Sequence, residues 1–592
     1  MSQIIDHTIP DHPIAVPLWP SRNSHFLELL GVGDMIAKLT VLTALLGIAA
    51  GICTAAPATE TISTKPNIIM FLIDDQDFDQ IGAFGGETYT PNLDRMAREG
   101  MRFTQAYVSS TVCTPSRYSF LTGRYAGNAY DPSYLKECPK GNQGFVAFNV
   151  GLESDNMNIG AVLSANGYAT GYVGKYHVHG GEKADGEDLI KKGKADDRTA
   201  ALCKAEELAC REEILKRGFS WAKHVYWGNM TGPWGHHNPD WTMDAALEFI
   251  ELNKDRPFYL HYCPTLLHGP DKSWRKSIDH PECTGQGPVQ PSAELLSRRR
   301  EFLALLKAKG IPDEKAGETW IDANLGLLMA KLKELGIDRN TLVVFAPDHG
   351  RDNKGALYGN DGARVPLIMR WPATIPAGRE CDQFVQNIDM APTFFELTGT
   401  KVPDSYRIDG RSLTPLFKTG RADPWRDHLY FEIGCGRAVL TRDWKYIATR
   451  YTQEDIAAIK QASPSQLPKL MAPSRRMGIG VRGADHPGFW NEDQLYDIRR
   501  DPGELNNLAD QPEYAAKLRD MRATLTGMIK PFDRPFGELI TGGNAAAAGQ
   551  IDDQRATLQQ LTIKGKKVTV PPELGGDETV EKRDRRKKKK DS

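Results

Sequence analysis

What this 592-residue chain lacks is informative. No two of its nine cysteines are spaced C-x-x-C, so a structural zinc site has no ligand spacing to rest on. Net charge is almost nil, 74 Lys and Arg against 76 Asp and Glu giving a formal −2. The chain as a whole therefore has no electrostatic case for nucleic acid or an acidic membrane surface. The N-terminal apolar run, Val41 to Ile52, has only twelve residues. A bilayer crossing needs about twenty, so no stable membrane span is expected. Internal repeats are missing too. What remains, 40% hydrophobic and 25% charged, is an ordinary globular composition with length for several domains.

The N-terminus does carry an address. Met35-Ile36-Ala37-Lys38 precedes the apolar run, and Ala55, Ala56 and Ala58 follow it. That is the layout of a secretory signal, with a positive start, a hydrophobic middle and a small-residue cleavage site. Residues 1–34 are polar, with Pro and His, and make an unsuitable start for such a signal. Translation is therefore expected to begin at Met35, with a signal peptide over 35–58 and 1–34 an extra segment. Cys53 follows Ile52 rather than the small residue of a lipoprotein signal. Export, to the periplasm or the medium, permits disulfides. Proximity suggests Cys203 with Cys210 and Cys263 with Cys283. At the far end, Glu581 to Lys590 is strongly basic and lacks apolar residues, which reads as a solvated, disordered end to a tail over 546–592, with a polyanion-binding arm as the alternative.

Continuous apolar runs mark strands buried on both faces. Asn67 to Ile73, Pro257 to Tyr262, Thr341 to Ala346 and Val365 to Met369 are such runs. Helical patterns precede two of them, Met243 to Leu252 and Ile321 to Leu335, the latter stopped by Gly336. Strands alternating with helices predict an α/β doubly wound sheet, here over 64–423. Between Gly180 and Trp241 the pattern breaks into Lys-, Asp- and Gly-rich sequence, read as an insertion; another runs from Lys272 to about Leu305. From Pro424 the text changes. Val439 to Ile447 and Gln494 to Asp497 read as antiparallel strands, with a helix from Pro512 to Ile529, so a smaller α+β subdomain is expected over 424–545.

Two of the buried runs end in charge. Asp74-Asp75 follows Ile73, and Asp348-His349-Gly350 follows Pro347. Ligands of open α/β sheets bind beyond the carboxyl ends of strands, and three carboxylates with an imidazole suit a divalent cation. Between the pairs in sequence stands Cys113-Thr114-Pro115-Ser116-Arg117, then Leu121-Thr122-Gly123-Arg124. Pro115 favours a helix start and Gly123 a helix end, which places Cys113 at a helix N-terminus, where free N–H groups favour an anion. A thiol alone requires no Pro and Arg at fixed offsets. The C-x-P-x-R spacing makes sense if a modifying enzyme reads it and oxidises Cys113 to formylglycine (3-oxoalanine). On these residues the chain resembles the type I, formylglycine-dependent sulfatases of the alkaline-phosphatase superfamily, over roughly residues 66 to 510.

The resemblance implies a large, mostly parallel mixed sheet sandwiched by helices, alkaline-phosphatase-like, with a small C-terminal subdomain. It implies a sulfuric ester hydrolase using Ca²⁺ (Mn²⁺ or Mg²⁺ as alternatives, since His349 brings nitrogen where many relatives have Asn), held by Asp74, Asp75, Cys113, Asp348 and His349. A formylglycine-generating enzyme would mature it. Lys175 and His177 in Gly174-Lys175-Tyr176-His177 match the family's Lys and His, sharing one side if that segment is extended. His268 in Leu267-His268-Gly269-Pro270 matches a second His and Lys354 a second Lys. Each of these alone is more often a surface residue. In the implied reaction a formylglycine gem-diol attacks sulfur, forming a covalent sulfate. Lys175, Lys354 and the metal stabilise charge, Arg117 holds the site, His268 protonates the leaving oxygen and His177 takes the final proton. The substrate is expected to be a sulfate ester of a carbohydrate, read by the two insertions. Trp221, Trp227, Trp234, His236, His237 and Trp241 there could stack on sugars or pack the insertion down. The competing readings are a phosphonate monoester or phosphodiester hydrolase of the same superfamily and a non-catalytic glycan-binding relative.

Overall fold

The computed structural model describes residues 65–180, 196–229, 232–235, 238–268, 283–285, 287–288, 293–359, 362–472, 486–545 and 549–563. The expected leader, the segment ahead of it, His236, His237, most of the second insertion's loop and the basic end of the tail lie outside these residues. Among the described residues no helix is long and apolar enough to cross a membrane.

Eight strands build the main sheet: β1 (Asn67–Ile73), β2 (Met101–Phe103), β3 (Ala169–Lys175), β4 (Trp221–Tyr226), β5 (Phe258–Cys263), β6 (Thr341–Pro347), β7 (Leu367–Arg370) and β8 (Arg379–Cys381). Their order is β8-β2-β7-β6-β1-β5-β3-β4. Every pairing is parallel except those of β7, which runs against β2 and β6. The apolar run of β1 shows why this sheet must be covered twice. Successive side chains point to opposite faces, so Ile68, Met70 and Leu72 join one core and Ile69, Phe71 and Ile73 the other. Helices Cys113–Thr122, Ile159–Ala165 and Met390–Thr398 fill the first core; Pro91–Glu99, Asn238–Leu252 and Ala316–Glu334 fill the second.

Four antiparallel strands form the smaller sheet: β9 (His428–Ile433), β10 (Gly436–Thr441), β11 (Trp444–Thr449) and β12 (Asp493–Asp497). Helix Ala515–Ile529 closes one face, packing Met521, Leu525 and Ile529 on Tyr430, Val439, Tyr446 and Leu495. This sheet also braces the main body. Ser109 accepts from the Glu432 N–H at 2.9 Å, and Lys445 donates to the carbonyl of Gly359 at 3.3 Å while pairing with buried Glu504 at 2.9 Å.

Several sequence expectations need correction. The stretch taken as an insertion, 180–241, contributes the edge strand β4 and a 20-residue helix, Asp197–Lys216. Trp221 packs on Phe249 with ring centroids 5.2 Å apart, Trp241 stacks on His224 at 4.2 Å, and Trp234 is fully buried. Trp221 ties the segment to the body, while Trp234 packs with Cys203 and Trp241 on His224 inside the segment itself. Cys203 and Cys210 are not bridged to each other: both lie on helix Asp197–Lys216, and seven residues of helix separate them by about 10 Å, beyond disulfide reach. Cys263, expected to pair with Cys283, carries a buried thiol at the end of β5.

His261 tests the packing of the parallel sheet. It sits fully buried in β5, bonded to Tyr259 Oη at 2.7 Å, and burial with nearby Arg117 pushes its imidazole down to about 3. A base whose folded pKa lies below the usual value of about 6.5 binds fewer protons when folded, so its contribution is complete above that pH and drains away as pH falls. The stability advantage of the wild type over His261→Asn should shrink by up to about 1.4 kcal/mol per pH unit below pH ~6.5, continuing towards the folded value of about 3. Urea titrations at stepped pH read it. A difference that does not change with pH would contradict a buried neutral imidazole.

Candidate active site and metal centre

The register of β1 on β6 does most of the assembly. Asn67 pairs with Thr341 and Ile73 with Pro347, without a slip between. The next residues, Asp74-Asp75 and Asp348-His349, therefore emerge side by side at the carboxyl edge. Cross-strand bonds continue past the strands: Asp348 N–H to Ile73 O at 2.9 Å, and Gln76 N–H to His349 O at 3.1 Å. Asp75 takes a left-handed conformation, φ 58°, which aspartate tolerates better than most residues.

Helix Cys113–Thr122 aims its N-terminus into this corner. Val112 is extended, Cys113 is the first helical residue, and Gly123 ends the helix at φ 67° with its N–H on Ser119 O. Every residue of the helix is buried. The Sγ of Cys113 lies 3.1 Å from His349 Nε2 and 3.7 Å from Asp74 Oδ1. Asp74, Cys113, Asp348 and His349 bring one donor atom each within 4.8 Å of one another, all buried. Asp75 stands beside this group, its Oδ1 3.4 Å from His349 Nδ1 and 2.8 Å from Lys354 Nζ.

Arg117, one helical turn below Cys113, ties the acidic pairs together. Its Nε meets Asp348 Oδ2 at 2.8 Å and its Nη2 meets Asp74 Oδ2 at 3.1 Å, with none of the three side chains exposed. Lys175, at the end of β3, reaches Asp74 Oδ2 at 2.6 Å. Ser116 donates its hydroxyl to the Asp348 carbonyl, and Asn387 Nδ2 donates to Ser116 Oγ at 3.1 Å. Ser116 fills an unspecified position of the Cys-x-Pro-x-Arg motif and Asn387 lies in no motif, so nothing in the sequence marks either for this role.

Charge sharing sets the protonation states. Burial raises the Asp74 carboxyl, but Lys175 and Arg117 outweigh it and hold the group well below the usual carboxylate range. Burial likewise opposes the Asp75 charge, and Lys354 with His349 wins, lowering it. Asp348 goes the other way: burial lifts it, more than Arg117 lowers it, and the charge on Asp74 adds to the lift. Burial and Asp74 push the Cys113 thiol up, yet Lys175, Lys354 and His349 together bring it down to about 5. Burial disfavours the charged His349, but Asp348 and Cys113 raise it to about 9. A corner where burial, helped by the Asp74 charge, lifts one carboxyl while its neighbours are held ionised is suited to a divalent cation, and the oxygen-rich donor set fits one.

The remaining sequence candidates divide. Lys354 is buried at the site. His268 is exposed at its rim, where Asn229 Nδ2 lies 3.0 Å from its Nε2. His177 shares no strand face with Lys175, because β3 ends at Lys175 and His177 has φ 50°. Its ring is half-buried and stacked on Phe148, centroids 5.5 Å apart. Burial and the Lys175 charge hold it well below the usual imidazole range, hence neutral.

The Sulfatase family model matches residues 66–400. The chain belongs to the sulfatase family. It is a sulfuric ester hydrolase. Arylsulfatase A of Bos taurus is 26% identical over 517 residues, 80% of this chain and 88% of its own. The ulvan-active sulfatase of Formosa agariphila is 25% identical, covering 77% of this chain and 78% of its own. The N-acetylglucosamine-6-O-sulfatase of Bacteroides thetaiotaomicron is 24% identical, covering 88% and 95%. Among solved structures, yidJ from Bacteroides fragilis overlays with TM-score 0.55 at 20% identity, covering 84% of this chain and all of that one. A chain solved with its substrate D-glucosamine-2-N,6-O-disulfate overlays with TM-score 0.51 at 21% identity, covering 79% and 98%. These overlays agree with the mixed eight-stranded sheet and its smaller antiparallel companion.

For this sulfatase the buried Arg117 fork predicts a large penalty on removal. Arg117→Ala leaves buried Asp348 without its guanidinium and Asp74 with Lys175 alone, and should cost about 3–5 kcal/mol in urea unfolding. Arg117→Lys keeps the charge but cannot serve both acids, and should fall between. A cost under about 1 kcal/mol for the alanine variant, typical of surface pairs, would contradict the bridging role.

Proposed function

We propose that this sulfatase is exported and removes sulfate from sulfated carbohydrates, with Cys113 oxidised to formylglycine and a divalent cation, Ca²⁺ ahead of Mn²⁺ or Mg²⁺, held by Asp74, Asp75, Asp348, His349 and residue 113. The observation that carries it is the convergence of Cys113 with Asp74, Asp348 and His349 inside a frame of Arg117, Lys175 and Lys354. The Sγ of Cys113 stands where the oxygens of the oxidised residue would be. The substrate class is supported by the names of the relatives, one ulvan-active and one an N-acetylglucosamine-6-O-sulfatase, and by the disulfated glucosamine bound to a structural neighbour.

The cation, when bound, offsets negative charge on the sulfate oxygens. Formylglycine supplies, as its hydrate, one hydroxyl to bond sulfur and a second whose proton loss expels sulfate and restores the aldehyde. The chain's own residues do the rest. Lys175 and Lys354 place two buried ammonium groups against the sulfate, where developing charge is worth most. His268, at the rim, gives a proton to the departing sugar oxygen. His177, kept neutral by burial and Lys175, is the base for the second hydroxyl. Arg117 holds Asp74 and Asp348 in register while charge moves past them.

Mass spectrometry of the peptide spanning residue 113, from protein made with a formylglycine-generating enzyme, should show loss of H₂S and gain of one oxygen relative to cysteine. The same preparation should hydrolyse an aryl sulfate faster than a phosphodiester and release sulfate from at least one member of a sulfated glycan panel. Cys113→Ala should abolish all of these activities. Unmodified cysteine in protein from its native host would overturn the mechanism. Phosphodiester hydrolysis faster than sulfate ester hydrolysis would favour the superfamily's phosphate-cleaving branch.

A further inference from the structure

We propose that Asn229 is the positioning residue for His268, holding the rim imidazole so that its Nδ1 faces the leaving oxygen. The inference rests on the assignment of His268 as proton donor. Proton transfer in the transition state needs the donor aligned within hydrogen-bond reach of the oxygen. His268 is exposed and sits on a loop beyond β5, so its ring has rotamers that point away from the sulfate. The contact with Asn229 is what selects among them: Nδ2 to Nε2 at 3.0 Å.

Asn229 is itself anchored. It follows β4 by way of Trp227, whose carbonyl accepts the His177 N–H at 2.8 Å. One short segment thus touches both histidines of the proposed proton traffic. The amide also suits both charge states of the ring. When His268 is neutral, Asn229 Nδ2 donates to Nε2 and the ring proton resides on Nδ1. When His268 is protonated, Nε2 carries a hydrogen as well and needs an acceptor. Asn229 Oδ1 is buried and has no hydrogen-bond partner among the described residues, so a half-turn of the amide presents it to that N–H. In either state Nδ1–H is left for the substrate. On transfer the Nδ1 proton of the imidazolium moves to the ester oxygen as its bond to sulfur breaks, leaving a neutral ring whose remaining hydrogen, on Nε2, is still donated to Asn229 Oδ1; Nδ1 regains a proton from solvent before the next turnover.

A proton donor matters in proportion to how poor the leaving group is. Two probes separate this role from a merely structural one: 4-nitrophenyl sulfate, whose phenolate departs without help, and phenyl sulfate, whose phenolate is more basic. Asn229→Ala should lower kcat/KM for phenyl sulfate by about tenfold to a hundredfold, less than the full general-acid contribution of about a hundredfold to ten-thousandfold, and change 4-nitrophenyl sulfate turnover little. His268→Ala should show the same selectivity more strongly, and the double variant should be no slower than His268→Ala alone, as expected of residues acting as one unit. Asn229→Asp, which keeps an acceptor for Nε2–H, should recover much of the loss. Equal slowing of both substrates by Asn229→Ala, or no slowing, overturns the inference while a selective His268→Ala leaves the proton-donor assignment standing. A His268→Ala variant without leaving-group selectivity overturns both.

Discussion

Like charges in a dry corner are the constraint around which this protein is organised. Asp74, Asp75 and Asp348 are all buried, and two carboxylates about 4 Å apart repel by roughly 4 kcal/mol at the effective dielectric of a protein. Arg117 answers by spanning Asp74 and Asp348 from within the helix that carries Cys113. Lys175 shares Asp74 Oδ2 with Arg117, and Lys354 takes Asp75 Oδ1. One arrangement therefore neutralises the acids, gathers donor atoms for a cation and surrounds residue 113 with positive charge that an incoming sulfate ester can share. Remove the guanidinium and Asp74 and Asp348, which the sheet still holds side by side, lose their shared counter-charge.

The sheet makes that arrangement rigid. In-register pairing of β1 with β6 leaves no freedom in where Asp348 sits relative to Asp74. Lys175 is delivered to the same edge by β3, which needs a residue without a side chain just before it. Gly174 has φ 92°, and a Cβ there would come within 2.1 Å of the Cys263 carbonyl oxygen. Behind the site, the smaller sheet holds the loop that carries Lys354 through Lys445 and Gly359. Groups on strand ends and one helix start are held more firmly than groups on loops; Lys354, His177 and His268 lie on loops, Lys354 on one braced by the smaller sheet, and the two histidines are the groups proposed to handle protons.

Much of this was legible in the sequence because the relevant signals are local. Unbroken apolar runs located β1, β5 and β6, and the acidic pairs after two of them located the site. The Cys-x-Pro-x-Arg spacing put Cys113 and Arg117 on one helix, one turn apart. The illegible parts have physical reasons. β3 carries Gly171 and Gly174, which admit Phe249 and the Cys263 carbonyl at close range, and those glycines interrupt the apolar run. β4 is an edge strand with Lys223 and His224 in it, half-buried, so it read as part of an insertion. His177 departs from strand alternation because its own φ is positive, a feature no periodicity reveals. Asn229 acts across 39 residues of chain, and an isolated asparagine carries no signal for such a contact.

The central claim is that the acidic edge of β1 and β6 holds a cation directly beside an oxidised residue 113. Anomalous X-ray diffraction from crystals of the matured protein grown with Mn²⁺, then with Ca²⁺, tests it most directly. A single strong peak bounded by Asp74, Asp348, His349 and an oxygen of residue 113, with Ca²⁺ to oxygen distances of about 2.3–2.6 Å, is the expected result. Crystals of active enzyme with no ion at that edge, or with residue 113 outside the ion's coordination shell, would contradict it.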